Sequence, residues 1–117
     1  MASIVYATDV AARFSDDQQR VSHEGDRTVV WLAGEHDMST VRMLAETLAK
    51  AISRNDADLV VDLSEVTFLS AATVDELVRW RVFLRDHSRD LALRAPSPRA
   101  WRILEICGLT TLIACCP

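Results

Sequence analysis

The sequence predicts an α/β fold in one domain, a sheet with its helices packed over it. Three observations predict it. Strand-like apolar runs alternate with segments whose apolar residues recur every three or four positions. Leu59-Val60-Val61-Asp62-Leu63 is a nearly continuous apolar run, the pattern of a strand covered on both faces in a parallel sheet. The chain has 117 residues, 50% of them hydrophobic, which suits one domain with a core of its own and argues against disorder.

The elements follow in order. Ser3–Thr8 is a short apolar run and Ser15–Gln19 is polar, so residues 1–17 read as an extension, with Ile4–Ala7 a candidate extra edge strand. Gln18–Glu24 is a weak strand, Gly25-Asp26 a turn, and Thr28–Ala33 a β-branched and aromatic strand, together a hairpin. A helix follows Gly34-Glu35-His36-Asp37, with Asp37 or Ser39 as its N-cap. Its stripe is Val41, Leu44, Ala45, Leu48 and Ile52. After the Leu59–Leu63 strand, a second helix spans about Ala71 to His87 and buries some of Val74, Leu77, Val78, Trp80 and Leu84. Ser70 caps it, or Thr73 forms a capping box with Glu76.

Leu91–Ala95 is the next strand. Ser97 then stands as N-cap and Pro98 at the first position of a third helix. Ala100, Ile103, Leu104 and Cys107 form the stripe of that helix, and Gly108 closes it. Thr111–Cys115 is a final strand or turn.

The net charge is −4, unevenly distributed. Between Arg79 and Arg102 seven Arg face only Asp86 and Asp90, giving +5 and leaving −9 on the rest of the chain. A mildly acidic protein with one basic sector is a poor nucleic-acid binder. The sector reads first as a solvated helix face, and as a docking surface it would suit an acidic protein. No apolar run approaches the roughly 20 residues that span a bilayer. Met1–Ala12 lacks a basic start and carries Asp9, so it is not read as a signal peptide, and a cytoplasmic location is expected.

Catalysis finds little support. There is no Gly-rich phosphate loop and no GxSxG, and the only histidines are His23, His36 and His87. Cys107, Cys115 and Cys116 have no CxxC spacing, so neither a metal nor a cofactor is expected. These thiols read first as inert small hydrophobes, and the alternative is a redox-regulated binding protein in which Cys107 pairs with Cys115 or Cys116. The informative stretch is Asp62–Thr73, where a buried strand hands over to a helix N-terminus. Partners tend to meet α/β domains at such strand ends. Glu35, His36 and Asp37 end a neighbouring strand, so the two segments are expected to share one edge.

The run Gly34-Glu35-His36-Asp37 with Thr40, then Leu59–Phe68, Ala95-Pro96-Ser97-Pro98 and Leu104–Leu109, resembles the STAS domain, and within it the bacterial anti-sigma factor antagonists. The resemblance covers about Gln18 to Ile113, and residues 18–117 are taken as the domain. It implies a small mixed sheet of four to five strands with helices mainly on one face. It also implies a non-enzymatic regulator that binds a histidine-kinase-like anti-sigma factor, an ATPase protein, and so releases a sigma factor. Direct contact with nucleic acid and membrane insertion are not implied, and a monomer or weak dimer is expected.

The partner-binding edge implied is Glu35, His36, Asp37, Ser39 and Thr40 with Ser70, Ala71, Ala72 and Thr73, extended by Asp75 and Arg79 on the second helix. In the family this helix opens with Asp-Ser-Ser-Gly, whose first Ser is phosphorylated. Here the four positions read Ser70, Ala71, Ala72 and Thr73, so the phosphoacceptor position is Ala71, which has no hydroxyl. Ser70 and Thr73 remain as displaced acceptors. The alternative within the same family is a STAS subunit of a lipid-transport ATPase or a stress-signalling assembly.

Overall fold

The structure, a computed structural model, describes residues 19–113. The extension and its edge strand, Cys115 and Cys116 lie outside the described residues. Four strands form one sheet in the order β1-β2-β3-β4. They are β1 (Gln19–Glu24), β2 (Arg27–His36), β3 (Asp58–Leu69) and β4 (Leu91–Arg94), with helices α1 (Val41–Arg54), α2 (Ala71–Arg85) and α3 (Pro98–Ile106) between and after them. The β1–β2 hairpin is antiparallel and turns at Gly25, where φ of +63° favours glycine. β2–β3 and β3–β4 are parallel, so the sheet is mixed.

Buried residues of all three helices join one cluster with one face of the sheet. Leu44, Leu48, Ala51 and Ile52 come from α1, Val74, Leu77 and Leu84 from α2, and Ala100 and Leu104 from α3. They meet Val30 and Leu32 of β2, Leu59, Val61, Leu63, Val66 and Leu69 of β3, and Leu91 and Leu93 of β4. The expected helix-on-one-face arrangement is therefore present.

Several boundaries differ from the sequence expectation. β3 continues six residues past Leu63, because β2 continues as its parallel partner to His36. At two register shifts, opposite Trp31/Ala33 and Gly34/Glu35 of β2, β3 carries one extra residue each time, which keeps the pairing going so that Val66 and Leu69 still reach the core. Of the strand or turn expected at the C-terminal end, the described residues form the turn, a 3-10 turn at Thr110–Leu112, followed by a single bridge from Ile113 to Leu93. Cys107 does not join the α3 stripe: it is the C-cap and is exposed, since the turn at Gly108 (φ +72°) swings the chain away.

Ser97 caps α3 by accepting from Ala100 N–H at 3.2 Å, with Pro98 at the first helical position. Its hydroxyl also donates to Val66 O at 2.6 Å, and its N–H to Leu63 O at 3.2 Å. These bonds pin the start of α3 to the far half of β3, beside the end of the sheet where α2 begins.

Candidate functional site

The site grows from the carboxyl ends of β2 and β3, where His36 and Leu69 pair. Ser70 leaves β3 in an extended conformation (φ −80°, ψ 159°) and caps α2, its Oγ accepting from Thr73 N–H at 3.2 Å. The capping box of Thr73 and Glu76 is not formed. Glu76 instead accepts from Trp80 Nε1–H at 2.9 Å.

One backbone atom joins the two strand ends. The His36 carbonyl accepts from Ser70 N–H at 2.8 Å and from the Thr73 hydroxyl at 3.1 Å. With the Thr73 proton committed there, the 3.0 Å contact between the two hydroxyls has Ser70 as donor. Ala71 is thereby set at the exposed first position of α2, next to the end of β2. The segments expected to share an edge do share it.

Two residues of that edge lie beneath it. His36 is fully buried, and its Nε2–H donates to Ala33 O at 3.1 Å. This side chain is internal because β2 runs through residue 36 and turns it inward. Thr73 is also fully buried, so its hydroxyl belongs to the internal network.

Asp37 does act as a cap, but of a 3-10 turn, Met38–Thr40, that leads into α1. Its Oδ1 accepts from Ser39 N–H at 2.8 Å and from Ser39 Oγ at 2.6 Å. Those bonds, the hydroxyl first, hold its carboxyl below the ordinary 3.8, so it stays ionised at neutral pH. Ser39 is thus the donor to the cap and not the cap itself. Thr40 follows as the residue before α1, its hydroxyl donating to Asp37 O at 3.1 Å.

Glu35, Asp37, Thr67, Phe68 and Arg99 line a shallow cleft beside this edge. On its other side the outward stripe of α2 runs Ala71, Asp75, Arg79 and Val82 at intervals of three or four residues. Asp75 and Arg79 pair at 3.7 Å with both side chains largely exposed, a contact worth little stability. No group of three or more metal-ligating side chains occurs among the described residues, and no helix there is long and apolar enough to cross a membrane.

Comparison with known proteins fits this geometry. The profile described as Mlab, STAS domain matches residues 19–114. The chain belongs to the STAS domain family. Curated relatives include the anti-sigma-B factor antagonist of Listeria monocytogenes, 30% identical over 88 residues, 75% of this chain and 77% of that one. Among solved structures, the unphosphorylated anti-sigma factor antagonist SpoIIAA superposes with a TM-score of 0.72 at 17% identity, over 82% of this chain and 85% of that one. An anti-sigma factor antagonist from Mycobacterium paratuberculosis gives 0.69 at 23% identity, over 81% and 80%.

In this STAS domain, sequence reasoning missed the apolar part of the surface. Met38 is 79% exposed at the tip of the 3-10 turn, and Val82 (57%), Phe83 (44%) and Phe68 (44%) are exposed nearby or along α2. The available signal was α2 itself, which carries apolar residues on both faces: Val74, Leu77 and Leu84 inward, Val82 and Phe83 outward. The basic sector, by contrast, is largely spent within the fold. Arg89 donates to Ala57 O and Ile52 O, Arg94 to Asp62 and Glu24, while Arg81 and Arg85 face Asp90. Arg99 and Arg102 remain exposed on α3.

Proposed function

We propose that this STAS domain is an anti-sigma factor antagonist that docks a histidine-kinase-like anti-sigma factor through the edge at the start of α2, and that Ala71 stands where its relatives carry the phosphoacceptor serine. The observation that carries the reading is the exposed Ala71 at the first position of a capped helix, beside the β2 end. A phosphate there would place about two negative charges in the middle of a docking face. With a methyl group in its place the domain stays competent to bind whether or not ATP is present.

The two displaced acceptors fit less well. Thr73 is fully buried, and the Ser70 oxygen is engaged with Thr73 N–H and Oγ1. The contact surface in this reading is Glu35, Asp37 and Ser39 with Ala71, Ala72, Asp75 and Arg79, while His36, Thr73 and the backbone of Ser70 hold its shape.

The test is binding to the cognate kinase-like anti-sigma factor with labelled ATP. The wild-type chain should form the complex and take no label, whereas Ala71→Ser should become labelled and lose affinity at least tenfold. Label on the wild-type chain would overturn the switchless reading. Failure to bind any kinase-like anti-sigma factor, with recovery of a transport ATPase in its place, would overturn the antagonist reading.

A further inference from the structure

The sheet ends at β1, beyond which no strand is paired among the described residues. At the opposite edge β4 already holds the bridge from Leu93 to Ile113. Natural edge strands are commonly interrupted by a bulge or a proline. β1 has neither: it pairs with β2 from Gln19↔Leu32 to Glu24↔Arg27 without a register shift. Only Gly25 and Asp26 separate Glu24 from Arg27, so this pair exchanges hydrogen bonds across the hairpin, as do Ser22 with Val29 and Arg20 with Trp31. The backbone N–H and C=O groups of Val21 and His23 therefore point away from β2, out of the sheet.

The side chains of β1 alternate between its faces. Val21 packs against the core on the helix-bearing face, while Arg20, Ser22 and Glu24 share the other face with Trp31 of β2 and Arg94 of β4. Arg20 and Glu24 are both exposed. One carboxylate oxygen of Glu24, Oε1, accepts from Arg94 at 3.0 Å. Arg20 lies 4.9 Å from the Trp31 ring centre and forms no ion pair among the described residues. Cation and anion thus stand at equal distances on either side of Ser22, a pattern complementary to itself when the strand is reversed.

We propose that the β1 edge is a homodimer interface, on which a second copy of this chain adds its own β1 antiparallel, centred on Ser22. In that register Val21 pairs with His23 of the partner subunit, and the outward N–H and C=O groups of each meet those of the other. Arg20 then faces Glu24 of the partner subunit at a non-hydrogen-bonded position, where Cα atoms lie about 4.5 Å apart. The twofold axis repeats this pair, so the contact is isologous. Sliding the strands by two residues sets Arg20 or Glu24 against Ser22 and loses both pairs. Sliding them by four sets Arg20 against Arg20 or Glu24 against Glu24, which is repulsive. A slip of one residue would exchange the two faces of the strand. Charge therefore selects one register among those the backbone allows. The twofold axis stands perpendicular to the joined sheet, which keeps the helices of both copies on one face. No residue of the edge assigned to the anti-sigma factor takes part, so the two readings stand or fall separately.

Sedimentation velocity of the chain over a range of concentrations tests this. Wild-type protein should pass from monomer to dimer, with hydrogen exchange at the Val21 and His23 amides slowing as concentration rises. Arg20→Glu and Glu24→Arg, each shown to be folded by circular dichroism, should weaken self-association by roughly tenfold or more, because both contacts become repulsive. Mixed in equal amounts, the two variants should associate again as wild type does, since opposite charges then face each other at both positions. A monomer at every concentration, a dimer that neither reversal weakens, or variants that fail to associate on mixing would overturn the proposal.

Discussion

Replacing Arg94 by Leu should destabilise the domain by about 3 kcal/mol, the low end of the range for removing one partner of a buried ion pair. The low end applies for two reasons read from the structure. Asp62 would keep its hydrogen bonds from Ser64 N–H (2.9 Å) and Ser64 Oγ (2.7 Å), and the Arg94 side chain is 17% exposed against 5% for Asp62. Losing the stack on Trp31 and the exposed pair with Glu24 contributes about 1 kcal/mol within that figure.

Of a total stability of about 5–15 kcal/mol this is a large share, equivalent to a fall in Tm of roughly 10–20 °C. Urea and thermal unfolding followed by circular dichroism would measure it. The double variant Asp62→Leu, Arg94→Leu removes both charges and should recover about 2 kcal/mol of the loss. Acid provides an independent check. Burial pushes the Asp62 carboxyl up, but hydrogen bonds from Ser64 and Arg94 outweigh it, so its folded value lies below the ordinary 3.8. The stabilisation is therefore complete above that value and is lost as pH falls through the folded pKa. The penalty of Arg94→Leu should be full at neutral pH and smaller near pH 3. A loss under 1 kcal/mol at neutral pH, or a double variant no better than the sum of the single ones, would refute the assignment of a coupled buried pair.

Two smaller changes probe the edge and the end of α3. Ser70→Ala deletes the α2 cap and should cost about 1 kcal/mol of stability in the same unfolding assay, while Ser70→Asn should cost much less. Gly108→Ala meets no neighbour within 4 Å, so the expected cost of about 1 kcal/mol comes only from its φ of +72°, and Gly108→Asn should be milder.

The legible parts of the fold are those with one undisturbed period. The α1 stripe was read at Leu44, Leu48 and Ile52, and the Ser97-Pro98 start of α3 carries its own local chemistry. The second half of β3 was not legible, for a physical reason. Extra residues within it at two register shifts put core residues at Leu63, Val66 and Leu69, a spacing of three that matches no strand alternation. His36 was obscured in the same way, since Glu35 and Asp37 on either side make a buried position look like a solvated loop. Of the site, the shared edge was visible in the sequence. Which members of the edge are internal was not, because that depends on where β2 ends.

The edge itself is built from backbone and internal hydroxyls. The His36 carbonyl ties β2 to Ser70 and Thr73, Ser70 caps α2, and Asp37 fixes the turn into α1. None of these bonds uses a side chain at position 71. The shape offered to a partner and the chemistry available at its centre are therefore separate properties of this STAS domain. A hydroxyl introduced at that point would leave the strand ends and the cap undisturbed. It follows that Ala71→Ser should leave unfolding within about 0.5 kcal/mol of wild type, as expected for an exposed first-turn position. Its effect should be confined to what a kinase can do there. A large stability change in that variant would mean that residue 71 supports the edge, and the separation of docking from switching would fail.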